Sequence, residues 1–246
     1  MDNMDIIIDF FSDLEKLGPG DIEQSKRALN CIKFKSNTPK IVDIGCGTGS
    51  QTMFLAKEAN TQIIAVDFLQ RFLDELEKRA KLHELNIKTI CASMDNLPFS
   101  ENEFDLIWSE GAIYNIGFNN GIKNWKKYLK PNGYLAITEQ SWFTKDRPKE
   151  IEDYWINAYS GIDTIENNIS KLKKNGYKII DYFSLPNKCW NNYYEPMERK
   201  FESFLNKWEN KKEAVDFVKE NIEEIKMHKK YNQYCGYEFY IAQNIK

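Results

Sequence analysis

A doubly wound α/β fold, with a largely parallel sheet and helices on both faces, is what this 246-residue sequence predicts. Three observations point there. From residue 40 onward, short apolar runs of strand length alternate with segments of helical periodicity. The first run, Ile41-Val42-Asp43-Ile44, ends in a loop with glycine at every second position, Gly45, Gly47 and Gly49. The second run, ending Ile64-Ala65-Val66, delivers an acid, Asp67, to its carboxyl end. Open sheets of this kind bind small molecules outside the carboxyl ends of their strands.

Taken in order, residues 6–17 place Ile6, Ile7, Phe10, Phe11, Leu14 and Leu17 at helical spacing, and Gly18-Pro19-Gly20 ends that helix. Asp21 caps a second helix to about residue 33. Strands are expected near 40–44, 62–66, 87–91, 104–108, 133–139, 177–184 and 236–243, a seven-stranded sheet. Helices fill about 50–59, 69–84, 119–128, 149–157 and 165–174. Alternation of the two makes most strands parallel, joined by right-handed crossovers. Two stretches exceed this frame: 140–161, rich in aromatics, and 186–234, with helices expected over 195–208 and 212–228. The expectation is one domain, 1–246, in which the N-terminal helices (1–34) and the insertion 186–234 close over the ligand-binding edge as a helical lid.

A hydrophobic content of 42% with 29% charged residues describes a globular protein. The net charge of −3 supplies no overall basic field to recruit nucleic acid or an anionic membrane, so neither is an expected partner. The basic run Lys171-Leu172-Lys173-Lys174 reads as a solvated helix face. No stretch approaches a membrane span, and the acidic start followed by the short apolar run 6–8 does not resemble a leader. Cys31, Cys46, Cys91, Cys189 and Cys235 are odd in number and form no C-x-x-C pair, which points to reduced thiols and a cytoplasmic enzyme. His83 and His228 stand apart from other ligands, so no metal is expected.

The glycine spacing narrows the ligand. A dinucleotide fingerprint reads G-x-G-x-x-G/A, but here the sixth position is Ser50 and the third glycine falls one residue early. A Walker loop needs Gly-Lys-Ser/Thr, and no lysine follows Gly49 until Lys57. A loop open to close backbone approach, yet without either phosphate signature, suits a nucleoside lacking phosphates. Asp67 lies about twenty residues beyond the glycines, where a ribose-binding carboxylate is expected. The competing role for Asp67 is to cap the helix that follows.

These residues, with Ser93-Met94-Asp95-Asn96-Leu97-Pro98-Phe99 and Phe104-Asp105-Leu106-Ile107-Trp108-Ser109, resemble the class I S-adenosylmethionine-dependent methyltransferases. The resemblance is strongest to the small-molecule, ubiquinone/menaquinone methyltransferase-like (type 11) group, and runs from about residue 40 to 139. It implies a Rossmann-like sheet whose last strand enters antiparallel. It implies that Gly45, Gly47 and Gly49 line the methionine part and ribose of the cofactor S-adenosyl-L-methionine, whose product is S-adenosyl-L-homocysteine. Asp43 would orient the loop and help hold the amino group, and Asp67 would hold the ribose hydroxyls. Phe68 would lie against adenine, Met94 would bond the adenine edge through its backbone, and Ser109 would face the cofactor at the end of the fourth strand. Where the family commonly has an aspartate this chain has Ser93, so either the Ser93 hydroxyl or Asp95 would accept from the adenine amino group.

Methyl transfer from a sulfonium is an in-line displacement that gains most from alignment and exclusion of water. An alcohol, phenol or protonated amine acceptor also needs a base. Glu110 and Tyr114, just past the fourth strand, are the catalytic candidates. Glu110 is as well suited to bonding the following loop or the cofactor amine. Trp142, Trp190 and Tyr194, with Phe143 and Tyr193, are candidate acceptor-facing aromatics. The expected partner is a small-molecule acceptor, and the sequence leaves the oligomeric state open. A nucleic-acid methyltransferase is disfavoured because Ser109-Glu110-Gly111-Ala112 replaces the Asp/Asn-Pro-Pro-aromatic motif of base-amino enzymes. A nicotinamide oxidoreductase is disfavoured by the glycine spacing. A protein that binds the cofactor or its product without catalysis stays open.

Overall fold

The computed structural model describes residues 3–245, so residues 1, 2 and 246 of the expected domain and lid lie outside the described residues. The seven expected strands form: β1 (Ile41–Ile44), β2 (Ile63–Asp67), β3 (Ile87–Cys91), β4 (Phe104–Ser109), β5 (Leu129–Trp142), β7 (Tyr177–Ser184) and β8 (Cys235–Asn244). A two-residue strand not anticipated from sequence, β6 (Asp163–Thr164), pairs parallel to the end of β5. The sheet order is β3-β2-β1-β4-β5-β8-β7. Strands β1 to β5 run parallel along this path, and β8 lies antiparallel between β5 and β7. The last strand thus enters antiparallel, as expected.

This order contains a switch point. From β1 the chain winds outward to β2 and β3, then crosses back to β4 on the other side of β1. The loops leaving β1 and β4 therefore diverge, and a crevice opens between them at the carboxyl edge. Each face is covered, because both sides of the central strands are apolar. Val42, Ile44, Ile107 and Ile137 pack with Phe118, Ile122 and Trp125 of α5 (Phe118–Trp125) on one face. Ile41, Leu106, Trp108 and Ala136 pack with Ala28 of α2 (Ile22–Asn30) and Phe54 of α3 (Ser50–Glu58) on the other.

A separate apolar cluster sits beyond the carboxyl edge. Phe10 of α1 (Asn3–Phe11) is fully buried among Phe201 and Phe204 of α8 (Asn187–Lys207) and Phe217 of α9 (Lys212–Tyr231). Asp9 reinforces it by pairing with Lys207 at 2.6 Å and accepting the Trp208 indole N–H at 2.9 Å.

Two boundaries differ from the sequence expectation, each for a tertiary reason. The first helix stops at Phe11 rather than Leu17. Its end is fixed by Lys200, whose ammonium donates to the carbonyls of Phe10 and Asp9, while the Leu14 carbonyl accepts from Thr48. Residues 12–20 are thereby drawn across the glycine loop. The first helix of the insertion starts at Asn187, not near residue 195, and continues through Pro196. Proline lacks the N–H that would bond the Asn192 carbonyl, which is why the sequence reads as a helix beginning there. Asp21 caps α2 as expected, accepting the Glu23 N–H at 2.8 Å. No helix among the described residues is long and apolar enough to cross a membrane.

Candidate functional site

The crevice holds a cavity of about 670 Å³. Its floor is the β1–α3 loop. Gly45 (φ +75°) hydrogen-bonds from its N–H to the Val66 carbonyl and faces Ala112, so closely that a Cβ would stand 2.3 Å from the Ala112 methyl carbon. Only glycine fits there. Gly47 (φ +54°) donates its N–H to Asp67 Oδ2 at 2.9 Å, and Leu17 covers it from residues 12–20. A Cβ on Gly47 would meet the tip of Leu17 at 2.7 Å, a contact that a side-chain shift relieves. Gly47→Ala is therefore expected to fold with a loss of about 1 kcal/mol, the ordinary cost of left-handed backbone without glycine, measurable by denaturant titration.

Asp67 at the end of β2 accepts from Gly47 N–H with one oxygen and from Leu69 N–H with the other, at 2.9 Å each. It therefore does hold the helix entrance, yet each carboxylate oxygen keeps a second lone pair, and the residue lines the cavity. Burial pushes its pKa up, opposed by the backbone donors of Leu69, Gly47 and Phe68. Phe68 stands 68% exposed at the rim, and Ser93 donates to Asp95 at 2.6 Å on the same wall. Met94 also lines the wall. Its carbonyl already accepts the Trp125 indole N–H, so its amide is the group left to face a ligand.

Glu110 lies at the base of the β4 side. One oxygen accepts from the Ser25 hydroxyl at 2.7 Å and the Trp108 indole at 2.9 Å; the other faces Gln51 at 3.4 Å. Burial raises its pKa, and these donors, with Lys16 nearby, pull it back. Tyr114 presents its ring to the cavity, and so does Tyr193 from α8.

Ten sequence-derived site residues thus converge on one cavity: Gly45, Gly47, Gly49, Asp67, Phe68, Ser93, Met94, Asp95, Glu110 and Tyr114. Five do not reach it. Asp43 is 2% exposed beneath the loop, where it accepts from Thr52 at 2.7 Å. Burial pushes it up to about 7, and the carboxylates of Glu110 and Asp67 add to the effect. Ser109 is fully buried with no hydrogen-bond partner for its hydroxyl. Trp142 lies under the Arg147 guanidinium, 4.1 Å from its ring centre, in the cluster around Ile151. Trp190 stacks on His228 at 4.1 Å, and Tyr194 donates to Glu224 at 2.9 Å.

Residues 15, 17, 18 and 19, within the N-terminal segment expected as lid, line the cavity, though as a loop and not as the end of a helix. Sequence reasoning missed Gln51, which lines it from the first turn of α3.

The electrostatics are one-sided. Glu15, Asp67, Asp95 and Glu110 line the cavity, and among the described residues no lysine, arginine or histidine does. None of the ion pairs among the described residues involves Asp43, Asp67 or Glu110. Such a cavity favours a cation and disfavours a phosphate.

Comparison with known proteins places this geometry among relatives. A family model described as a methyltransferase domain matches residues 41–133, which hold the glycine loop, Asp67, Ser93 to Asp95 and Glu110 to Tyr114. Phosphoethanolamine N-methyltransferase of Plasmodium falciparum is 28% identical over 207 residues, covering 80% of this chain and 76% of that protein. Demethylmenaquinone methyltransferase of Staphylococcus saprophyticus is 32% identical over 119 residues, 47% of this chain, which spans only 50% of that relative's length. Among solved structures, a SAM-dependent methyltransferase from Geobacter sulfurreducens in complex with S-adenosyl-L-homocysteine shares the fold, with a TM-score of 0.81 at 16% identity over 97% of each chain.

Proposed function

We propose that the chain is a class I S-adenosylmethionine-dependent methyltransferase, in keeping with the methyltransferase domain model and the methyltransferase relatives it resembles, and that it transfers a methyl group to a small-molecule acceptor bound beside Tyr114 and Tyr193. The observation that carries this reading is the convergence of the glycine loop and Asp67 on one cavity whose charged lining is wholly acidic. The cofactor fits that lining. Its sulfonium and amino group are cationic, it has no phosphate to neutralise, and the free lone pairs of Asp67 match a ribose diol. The glycine floor leaves no Cβ to hold the nucleoside away.

When bound, the cofactor supplies an activated methyl carbon and a neutral thioether leaving group. The chain's own residues align and enclose it. Residues 14–19 are tied over the loop by the Thr48–Leu14 bond and by Leu17 against Gly47, and would shield a bound nucleoside from water on that side. This segment and the α8–α9 insertion are the proposed lid. Glu110 is held by Ser25 and Trp108, so its proposed role is to fix the floor and offer its remaining oxygen to the cofactor amine, rather than to take a proton from the acceptor.

Calorimetric titration tests the reading. S-adenosyl-L-methionine and S-adenosyl-L-homocysteine are expected to saturate the protein and NAD is not. Binding of NAD with neither of the others would overturn it.

A further inference from the structure

On the acceptor side, the two tyrosines that line the cavity each rest on a second tyrosine bonded to a glutamate, Glu139 buried and Glu224 half-buried. Tyr114 meets Tyr159 edge-on at 5.9 Å, and the Tyr159 hydroxyl donates to Glu139 at 3.3 Å. Tyr193 meets Tyr194 at 5.2 Å, and the Tyr194 hydroxyl donates to Glu224 at 2.9 Å. A third ring, Tyr237, closes against Gly111, where a Cβ would stand 3.3 Å from it. Glu139 is 2% exposed at the end of β5, and among the described residues neither Glu139 nor Glu224 belongs to an ion pair. Lys171, the cation that acts on Glu139, is itself paired to Asp163 at 2.9 Å.

We infer that the acceptor is a small organic amine, bound as its ammonium ion beside Tyr114 and Tyr193 in the field of Glu224, and methylated on nitrogen. This deepens the methyltransferase reading above and rests on it. Tyrosine faces attract a cation, and Glu224, which belongs to no ion pair among the described residues, sharpens that attraction from behind the Tyr194 ring. The same field opposes an anionic acceptor. A phosphate ester would find no lysine, arginine or histidine on the cavity wall.

Glu224 reaches both rings electrostatically. Burial first, and Glu224 next, hold the hydroxyls of Tyr114 and Tyr193 above their ordinary range. Burial raises Glu224 itself, opposed by the Tyr194 hydroxyl, so it holds a proton more readily than an exposed carboxylate. For the transfer the ammonium first releases one proton to water, and the freed lone pair forms the nitrogen–carbon bond. The carbon–sulfur bond breaks with its electron pair staying on sulfur, so the cofactor's positive charge passes to the methylated nitrogen.

The test is calorimetry on the protein saturated with S-adenosyl-L-homocysteine, using phenethylamine, 2-phenylethanol and phenyl phosphate as probes. The amine is expected to bind about tenfold more tightly than the alcohol, and the phosphate not at all. Glu224→Gln should erase the preference for the amine while S-adenosyl-L-homocysteine affinity is retained. If that variant fails to fold, the wild-type ranking of the three probes decides. Equal or tighter binding of the alcohol or the phosphate, or an intact amine preference in folded Glu224→Gln, would overturn the inference and leave the methyltransferase reading standing. Failure of S-adenosyl-L-homocysteine itself to bind would remove both.

Discussion

Replacing Asp67 with alanine is expected to weaken S-adenosyl-L-homocysteine binding by about 2–4 kcal/mol, roughly 30- to 1000-fold, the worth of two charge-assisted hydrogen bonds. The loss has two sources. One is the proposed grip on the ribose diol. The other is the floor: Asp67 accepts the N–H groups of Gly47 and Leu69, so its removal leaves two backbone donors unpaired beside the ligand. Asp67→Asn separates them, since an amide oxygen still accepts one of these bonds but carries no charge. Calorimetry on both variants checks the expectation. Undiminished affinity in Asp67→Ala would place the ribose elsewhere in the cavity.

The ligand-free protein is expected to lose about 2–3 kcal/mol of stability between pH 6.5 and pH 8. Burial pushes Glu139 up to about 8, and both Asp43 and Glu238 up to about 7. In the unfolded chain these groups have already ionised below pH 5. Over the stated window the folded state therefore binds more protons than the unfolded state, and folding weakens as pH rises through the folded values. His228 acts oppositely but elsewhere. Burial lowers it to about 4, so its cost appears as pH falls below 6.5. Urea midpoints at the two pH values, at constant ionic strength, check the sign. A midpoint that rises with pH would show these carboxylates ionised well below neutrality.

What the sequence disclosed was set by its local character. The glycine loop and Asp67 are legible because strand, bend and acid lie within one βαβ unit, whose geometry follows from its own residues. The end of α1 is not legible, because Lys200 fixes it from 190 positions away. The start of α8 is masked by Pro196, which reads as a helix beginning but sits inside a helix anchored by its apolar face. Trp142, Trp190 and Tyr194 have the composition of a cage, yet which side of β5 or α8 faces the cavity depends on packing with Arg147, His228 and Glu224. Tyr193, one residue before Tyr194, is the ring that points in. The Tyr159–Glu139 and Tyr194–Glu224 bonds join β5 and α9 to distant segments, and no spacing rule announces them.

Residues 14–19 bind the glycine loop through Thr48 and Leu17, so the protein supplies part of its own ligand's enclosure. Occupancy and ordering of that segment are then reciprocal: whatever stabilises one raises the other by the same free energy. Apparent affinity will consequently respond to substitutions at Asp9, Lys200 or Lys207, which touch no ligand and act by changing how much work the incoming nucleoside must do on the polypeptide.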